Sequence, residues 1–192
     1  MKNHWNILVL GFLIMSCTSF KEIERSNRDY VDEANMFSLA GVYESIPHKL
    51  GNVVYLSKPI SVGDESQHNL LFERFKLSPT KNYADSASRF FVQVQPVNKK
   101  TIALNLIKDS EIQKTKRIKG KYKDGYFYRR KQLIIVPFVP ILFGFRAQRQ
   151  RIGLENDLLI VDLRINMWVS FLIAGRFESS QQEAKYKRAV KH

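Results

Sequence analysis

From Phe37 to the C-terminus, apolar residues recur at every second position in short runs, and turn-forming residues separate the runs at intervals of about 8 to 12 residues. The run FSLAGVYES (residues 37–45) puts Phe37, Leu39, Gly41 and Tyr43 on one side and predicts a first strand. Residues 69–77, 89–97, 101–109 and 114–122 read as further strands, with Asn98-Lys99-Lys100 as the turn between the second and third of these. Asp124-Gly125 is the dipeptide of a tight hairpin. Residues 126–138, 141–153, 156–164 and 167–177 continue the meander, and residues 184–190 supply a closing strand. No amphipathic helix separates these runs, so the pattern predicts a mainly β fold: an antiparallel meander that closes into a barrel, or alternatively a β-sandwich. Before the first strand, residues 18–36 are polar and charged and read as a tether with at most one helical turn. Residues 46–67 hold Pro47, Gly51, Pro59 and Gly63, a long connection of the kind used as a lid or binding loop.

The N-terminus breaks the period. Lys2 precedes an apolar run from Trp5 to Met15 interrupted only by Asn6 and Gly11, and Lys21, Glu22, Glu24 and Arg25 follow it closely. A membrane-spanning helix needs about 20 apolar residues to cross ~30 Å of hydrocarbon. A charged start and a short apolar stretch ending in small residues is the layout of an export signal. Its last residues, Ile14-Met15-Ser16-Cys17, resemble the lipobox of bacterial lipoproteins. The resemblance implies cleavage before Cys17, a diacylglyceryl thioether on its sulfur and acylation of the new amino group. Cys17 is the chain's only cysteine, so an exported form has no intramolecular disulfide to make. The expected organisation is a signal peptide (1–16), a lipidated cysteine with its tether (17–36) and one β domain (37–192), held in the cell envelope and on the outer rather than the inner membrane.

Charge then narrows the partners. The chain carries 31 Lys and Arg against 18 Asp and Glu, a net charge of +13. An exported lipoprotein meets anionic lipid and envelope polymers rather than nucleic acid, so no nucleic-acid partner is expected. With 44% hydrophobic and 12% aromatic residues, the chain can fill a core. The charge is patterned as well: Arg117, Lys119, Lys121 and Lys123 alternate with Ile118, Gly120 and Tyr122, which in a strand places the four cations on one face. Such a face is either solvated, which protects a sheet edge from pairing, or a stripe that rests on anionic headgroups or polysaccharide. The most apolar run beyond the N-terminus, LIIVPFVPILFGF (residues 133–145), is too short to span and contains Pro137 and Pro140, so it reads as two strands joined at the prolines. The alternative for this run is that it dips into the membrane beside the lipid anchor.

Candidate chemistry adds little. His4, His48, His68 and His192 are scattered, and a zinc site needs three or four ligands at motif spacing. His48 and His68 with Asp64 or Glu65 are the nearest approach to a metal set, and surface histidines in a polar loop are the commoner case. Gly120, Gly125 and Gly153 stand alone rather than in a phosphate loop, and Ser38, Ser45 and Ser170 lack the nucleophile-elbow pattern. Glu155, Asp157 and Asp162 read as strand-edge carboxylates near a turn. No catalytic residue, metal or cofactor is expected, and the chain reads as a non-enzyme.

Gly41-Val42-Tyr43, opening the first strand ahead of a long connection and an antiparallel meander, resembles the start of the lipocalin-type barrels, with Tyr43 where that family has tryptophan. The resemblance covers the domain from Phe37 onward as architecture. The chain as a whole also resembles small envelope lipoproteins of Bacteroidetes-like bacteria. A barrel leaves two functions open. A solidly filled domain acts as a lipid-anchored structural or interaction module, the preferred expectation. A hollow one carries a small apolar ligand in a cavity lined by Tyr43, Phe72, Phe91, Phe143 and Trp168.

Overall fold

The computed structural model describes residues 20, 28–51, 54–55, 70–79, 90–138, 142–171 and 174–189. Residues 1–19, with the predicted signal segment and Cys17, and most of the 46–67 connection lie outside the described residues. No helix among the described residues is long and apolar enough to cross a membrane.

The chain is built of antiparallel β-strands. After β1 (Arg28–Asp29) and a 3-10 turn (Met36–Leu39) come β2 (Gly41–Glu44) and the two short strands β3 (Lys49–Leu50) and β4 (Val54–Tyr55). A single helical turn, α1 (Leu71–Arg74), precedes β5 (Phe90–Asn98), β6 (Thr101–Lys108) and β7 (Glu111–Lys123). Then follow β8 (Tyr126–Arg129), β9 (Gln132–Phe138), β10 (Leu142–Glu155), β11 (Leu158–Phe171) and β12 (Ala174–Tyr186). Hydrogen-bonded neighbours run in the order β2-β5-β6-β7-β8-β10-β11-β12-β3, with β9 and β1 also on β10 and β4 on β12. This path does not close on itself. Its first strand and the residues just after β12 are joined by one isolated bridge, Tyr43 to Arg188, flanked by Glu44 N–H donating to Lys187 O (3.0 Å) and Ala189 N–H to Val42 O (2.8 Å).

Local chemistry sets the hairpins. Asp124 and Gly125 both have positive φ, the conformation a two-residue turn needs to match strand twist. Asp109-Ser110 and Asn156-Asp157 adopt the same left-handed pair of angles without any glycine. Asp and Asn tolerate that region because a short polar side chain bonds locally. β7 is divided between two partners: residues up to Lys119 pair with β6, and Gly120 onward pairs with β8.

Two expectations are corrected. Residues 69–77 are not a strand: α1 forms there, because Leu71 and Phe75, four apart, share a helical face, and Phe75 N–H bonds to Leu71 O. Residues 156–164 and 167–177 are not separate runs: β11 continues unbroken from Leu158 to Phe171, and residues 184–186 of the expected closing strand are the end of β12. Within the stretch expected to be a tether, residues 28–31 are part of the fold: Val31 is buried, and Arg28 and Asp29 pair with Glu155 and Leu154.

The core lies on one side of the strands. Val92, Leu104, Ile118, Phe127, Ile152, Val161 and Ala184 are buried on facing strands, and residues 71–77 fill the space between them. Leu71, Phe72, Phe75 and Leu77 are wholly buried, with the Phe72 ring 5.4 Å from that of Phe90. Each such side chain contributes roughly 1.5–3 kcal/mol by leaving water. Polar anchors fix the segment. Ser45 O accepts from Leu71 N–H, and the Lys116 ammonium donates to Phe75 O (3.0 Å) and Lys76 O (3.3 Å). Arg74 is buried with them, donating through one terminal nitrogen to Gln182 Oε1 (2.8 Å).

Candidate functional site

The change of partner along β7 opens a gap in the sheet. β6 begins at Thr101, opposite Lys119, and β8 ends at Arg129, opposite Gly120, so the Asn98–Lys100 turn and the β8–β9 junction diverge from the same point. Two backbone bonds hold the junction, Gly120 N–H to Lys100 O and Arg130 N–H to Lys119 O, each 2.9 Å. Gly120 is required by the close approach there, since a Cβ at this position would lie 2.3 Å from Tyr128 O. Between the diverging segments lies a cleft of about 670 Å3.

Its lining is strongly one-signed. Lys100, Lys119, Lys121, Arg129, Arg130 and Lys131 surround it, together with Asn98, Thr101, Gly120 and Tyr128, and no carboxylate is among the residues that line it. The lysines and Arg130 are exposed, and Thr101 and Arg129 are half-buried, Arg129 donating to Gln150 Oε1 (3.0 Å). Burial pulls the Arg129 pKa down, and behind it Lys116 is lowered by burial and then by the charges of Arg129, Lys76 and Lys114. The ammonium groups of Lys100, Lys119, Lys121 and Lys131 and the guanidinium of Arg130 are donors of the kind that phosphate or carboxylate oxygens accept from. The cleft is thus equipped to bind anionic groups.

Two members of the predicted stripe reach this cleft. Arg117, Lys119, Lys121 and Lys123 are all exposed on one face of β7, with Ile118 and Tyr122 buried on the other. Lys119 and Lys121 line the cleft, Lys123 lies 3.5 Å from Asp124, and Arg117 pairs across from Ala103 on the β6 half of the strand. Periodicity along β7 could not find Lys100, Arg129, Arg130 and Lys131, because they come from a turn and a strand break. The contiguous Arg129-Arg130-Lys131 was the available signal, read as the interior of a strand.

Of the five aromatic positions predicted to share a cavity, Tyr43 and Phe72 lie in the interior while Phe91 and Trp168 do not join them. Tyr43 and Phe72 are buried in the interior. Phe91 is only half-buried between the buried Phe90 and Val92, which places it on the opposite face of β5. Trp168 stacks on Phe145 at 6.0 Å, on the β11 face opposite Leu159 and Val161. The backbone of Phe143 pairs with Pro137 and Ser170, and its side chain lies outside the described residues. Tyr43 has a structural task. Its hydroxyl donates to Leu39 O (3.1 Å) and accepts from Arg188, whose guanidinium lies 5.5 Å from the ring centre and also reaches Ser38 O and Asp157. Burial raises the Tyr43 pKa against the opposing effect of Arg188.

Other polar groups are absorbed by the fold. Asp162, expected at a strand edge, is fully buried with Arg151 (2.6 Å), whose guanidinium is packed between the rings of Phe20 and Tyr126. His48 is exposed and His68 lies outside the described residues. No group of three or more His, Cys, Asp or Glu able to hold a metal occurs among the described residues. No family model matches the chain, and no significant match is found among curated proteins or solved structures.

Proposed function

We propose that this protein is a lipid-anchored interaction module of the cell envelope that binds anionic groups, lipid headgroups or acidic envelope polymer, in the cleft between β6, β7 and β8. The observation that carries the reading is six basic residues lining one cleft with no carboxylate in its lining. In this reading Cys17 bears the lipid and the tether delivers the domain to a charged surface, and the domain is a filled, lipocalin-like barrel. Two features support the barrel: the isolated Tyr43–Arg188 bridge between β2 and the residues just after β12, and a single interior filled by residues 71–77. A carrier of apolar ligands is the weaker reading, because Leu71, Phe72, Phe75 and Leu77 occupy the space that a ligand would take.

The test is vesicle flotation of the full chain, comparing neutral phosphatidylcholine with an equal mixture of phosphatidylcholine and phosphatidylglycerol. The N-terminal apolar run can contribute to binding of both, so the informative quantity is the excess on anionic vesicles. Each basic residue near an anionic surface is worth ~1 kcal/mol. Replacing Lys119, Lys121, Arg130 and Lys131 by Glu is expected to remove that excess while leaving the circular dichroism unchanged. An excess that survives the four reversals, or an unmodified chain with none, contradicts the proposal.

A further inference from the structure

Arg74, the last residue of α1, is 2% exposed, and no ion pair among the described residues includes it. A guanidinium keeps its proton in a folded protein, so this charge is not relieved by neutralisation as that of a buried lysine can be. Its Nη2 donates to Gln182 Oε1 (2.8 Å), and the group also bonds to the Tyr186 hydroxyl. Nε and Nη1 are buried with no hydrogen-bond partner among the described residues. Both groups that Arg74 reaches are therefore neutral, and two of its three nitrogens are left open. A buried charge without a partner of opposite sign is strongly destabilising.

The polar groups around Arg74 add positive charge rather than balance it. Gln150 Nε2 donates to Arg74 O (3.2 Å), and Arg129 donates to the oxygen of the same amide (3.0 Å). Lys116 bonds the carbonyls of Phe75 and Lys76, the next two residues of the chain. Glu73 precedes Arg74 and acts on Tyr186 in the opposite sense, without forming an ion pair to Arg74. Glu178 lies on the Gln182 side of β12 but four residues away, about 13 Å along a strand.

A buried water can satisfy open donors, but it does not compensate a charge. An anion does both. Leu71, Phe72, Phe75 and Leu77 are wholly buried around the same turn, which leaves no room for a ligand with an apolar tail and limits the occupant to a small ion.

We infer that Arg74 binds one small monovalent anion, of the size of chloride, inside the core, with Nε or Nη1 donating to it. This site is separate from the basic cleft, although the Arg129–Gln150 hydrogen bond links the two. It rests on the buried guanidinium and not on the exposed lysines.

Amide chemical-shift mapping tests the site, with the full chain in neutral micelles and sodium chloride replacing sodium gluconate at constant ionic strength. Gluconate is too large to enter a packed core, so only chloride can load the site. Saturable changes at Arg74, Phe75, Gln150 and Gln182 are expected. Arg74→Met, which keeps an unbranched side chain and removes the charge, should lose them with its far-ultraviolet dichroism unchanged. No change at those four residues, or equal changes in a folded Arg74→Met chain, overturns the inference in favour of water at the open nitrogens. If Arg74→Met does not fold, crystals of the unmodified chain grown in sodium bromide decide the matter. An anomalous peak in contact with Nε or Nη1 upholds the site, and bromide found over surface lysines alone, an adventitious ion only, overturns it. The two readings fail separately, because changes confined to residues 119–121 and 129–131 overturn this site and leave anion binding in the cleft intact.

Discussion

Tyr186 shows how a single buried hydroxyl couples the fold to pH. It is fully buried against the end of the core, and burial raises its pKa to about 12, with Arg74 opposing the shift. An unfolded tyrosine ionises near 10, so between about pH 10 and 12 the native state holds a proton that the unfolded state has lost. Stability contributed by the neutral phenol is complete below pH 10 and falls as pH rises through this window, by about 1.4 kcal/mol per unit. Tyr186→Phe is expected to flatten the alkaline fall in urea midpoint, leaving the share due to Tyr122, whose pKa burial also raises to about 12. Urea unfolding at several pH values in the window measures the slope, and an unchanged slope contradicts the assignment. At this scale the sequence was only partly legible. Ile118 and Tyr122 alternating with cations gave the faces of β7 correctly. Asp162 did not show its burial, because nothing local to it in sequence says that Arg151 lies beside it on the neighbouring strand.

Among elements, those made by alternation and turn chemistry were readable and those made by tertiary contact were not. β5, β6 and β7 lie where period-two runs and the Asn98-Lys99-Lys100 and Asp124-Gly125 turns place them. The Asp109-Ser110 and Asn156-Asp157 turns have the same left-handed geometry with weaker sequence signals. Residues 70–77 contain five apolar residues in eight, a density that fits a buried strand as well as a buried turn of helix, and length alone did not separate the two. Their location inside the sheet decides the matter, since their backbone bonds to the side chains of Lys116 and Gln150 and to the Ser45 carbonyl. Phe75→Ala is therefore expected to cost about 3–5 kcal/mol, as for a large ring removed from a packed interior. Chemical denaturation followed by far-ultraviolet dichroism measures this. A loss under about 1 kcal/mol would mean that residues 71–77 are not an integral part of the core.

For the whole molecule, the basic balance visible in composition becomes meaningful only through topology. The net charge of +13 is spread along the chain, but a change of strand partner at Gly120 gathers residues from positions 100, 119–121 and 129–131 around one opening. No spacing rule predicts this, because the gathering depends on where β6 stops and β8 starts. The fold class was legible as mainly antiparallel β, and the stripe on β7 as an exposed cationic face. The cleft that two of its members enter was not. Attraction at such a site fades within a Debye length, ~8 Å at physiological salt, so binding should weaken steeply as salt is raised. The central claim is that anions bind in this cleft and not over the cationic surface in general. Amide chemical-shift mapping of the full chain in neutral micelles, titrated with inorganic phosphate at low salt, tests it most directly. Saturable shifts concentrated at residues 119–121 and 129–131 are the expected result, and shifts spread evenly over exposed lysines, or absent from those two segments, would contradict it.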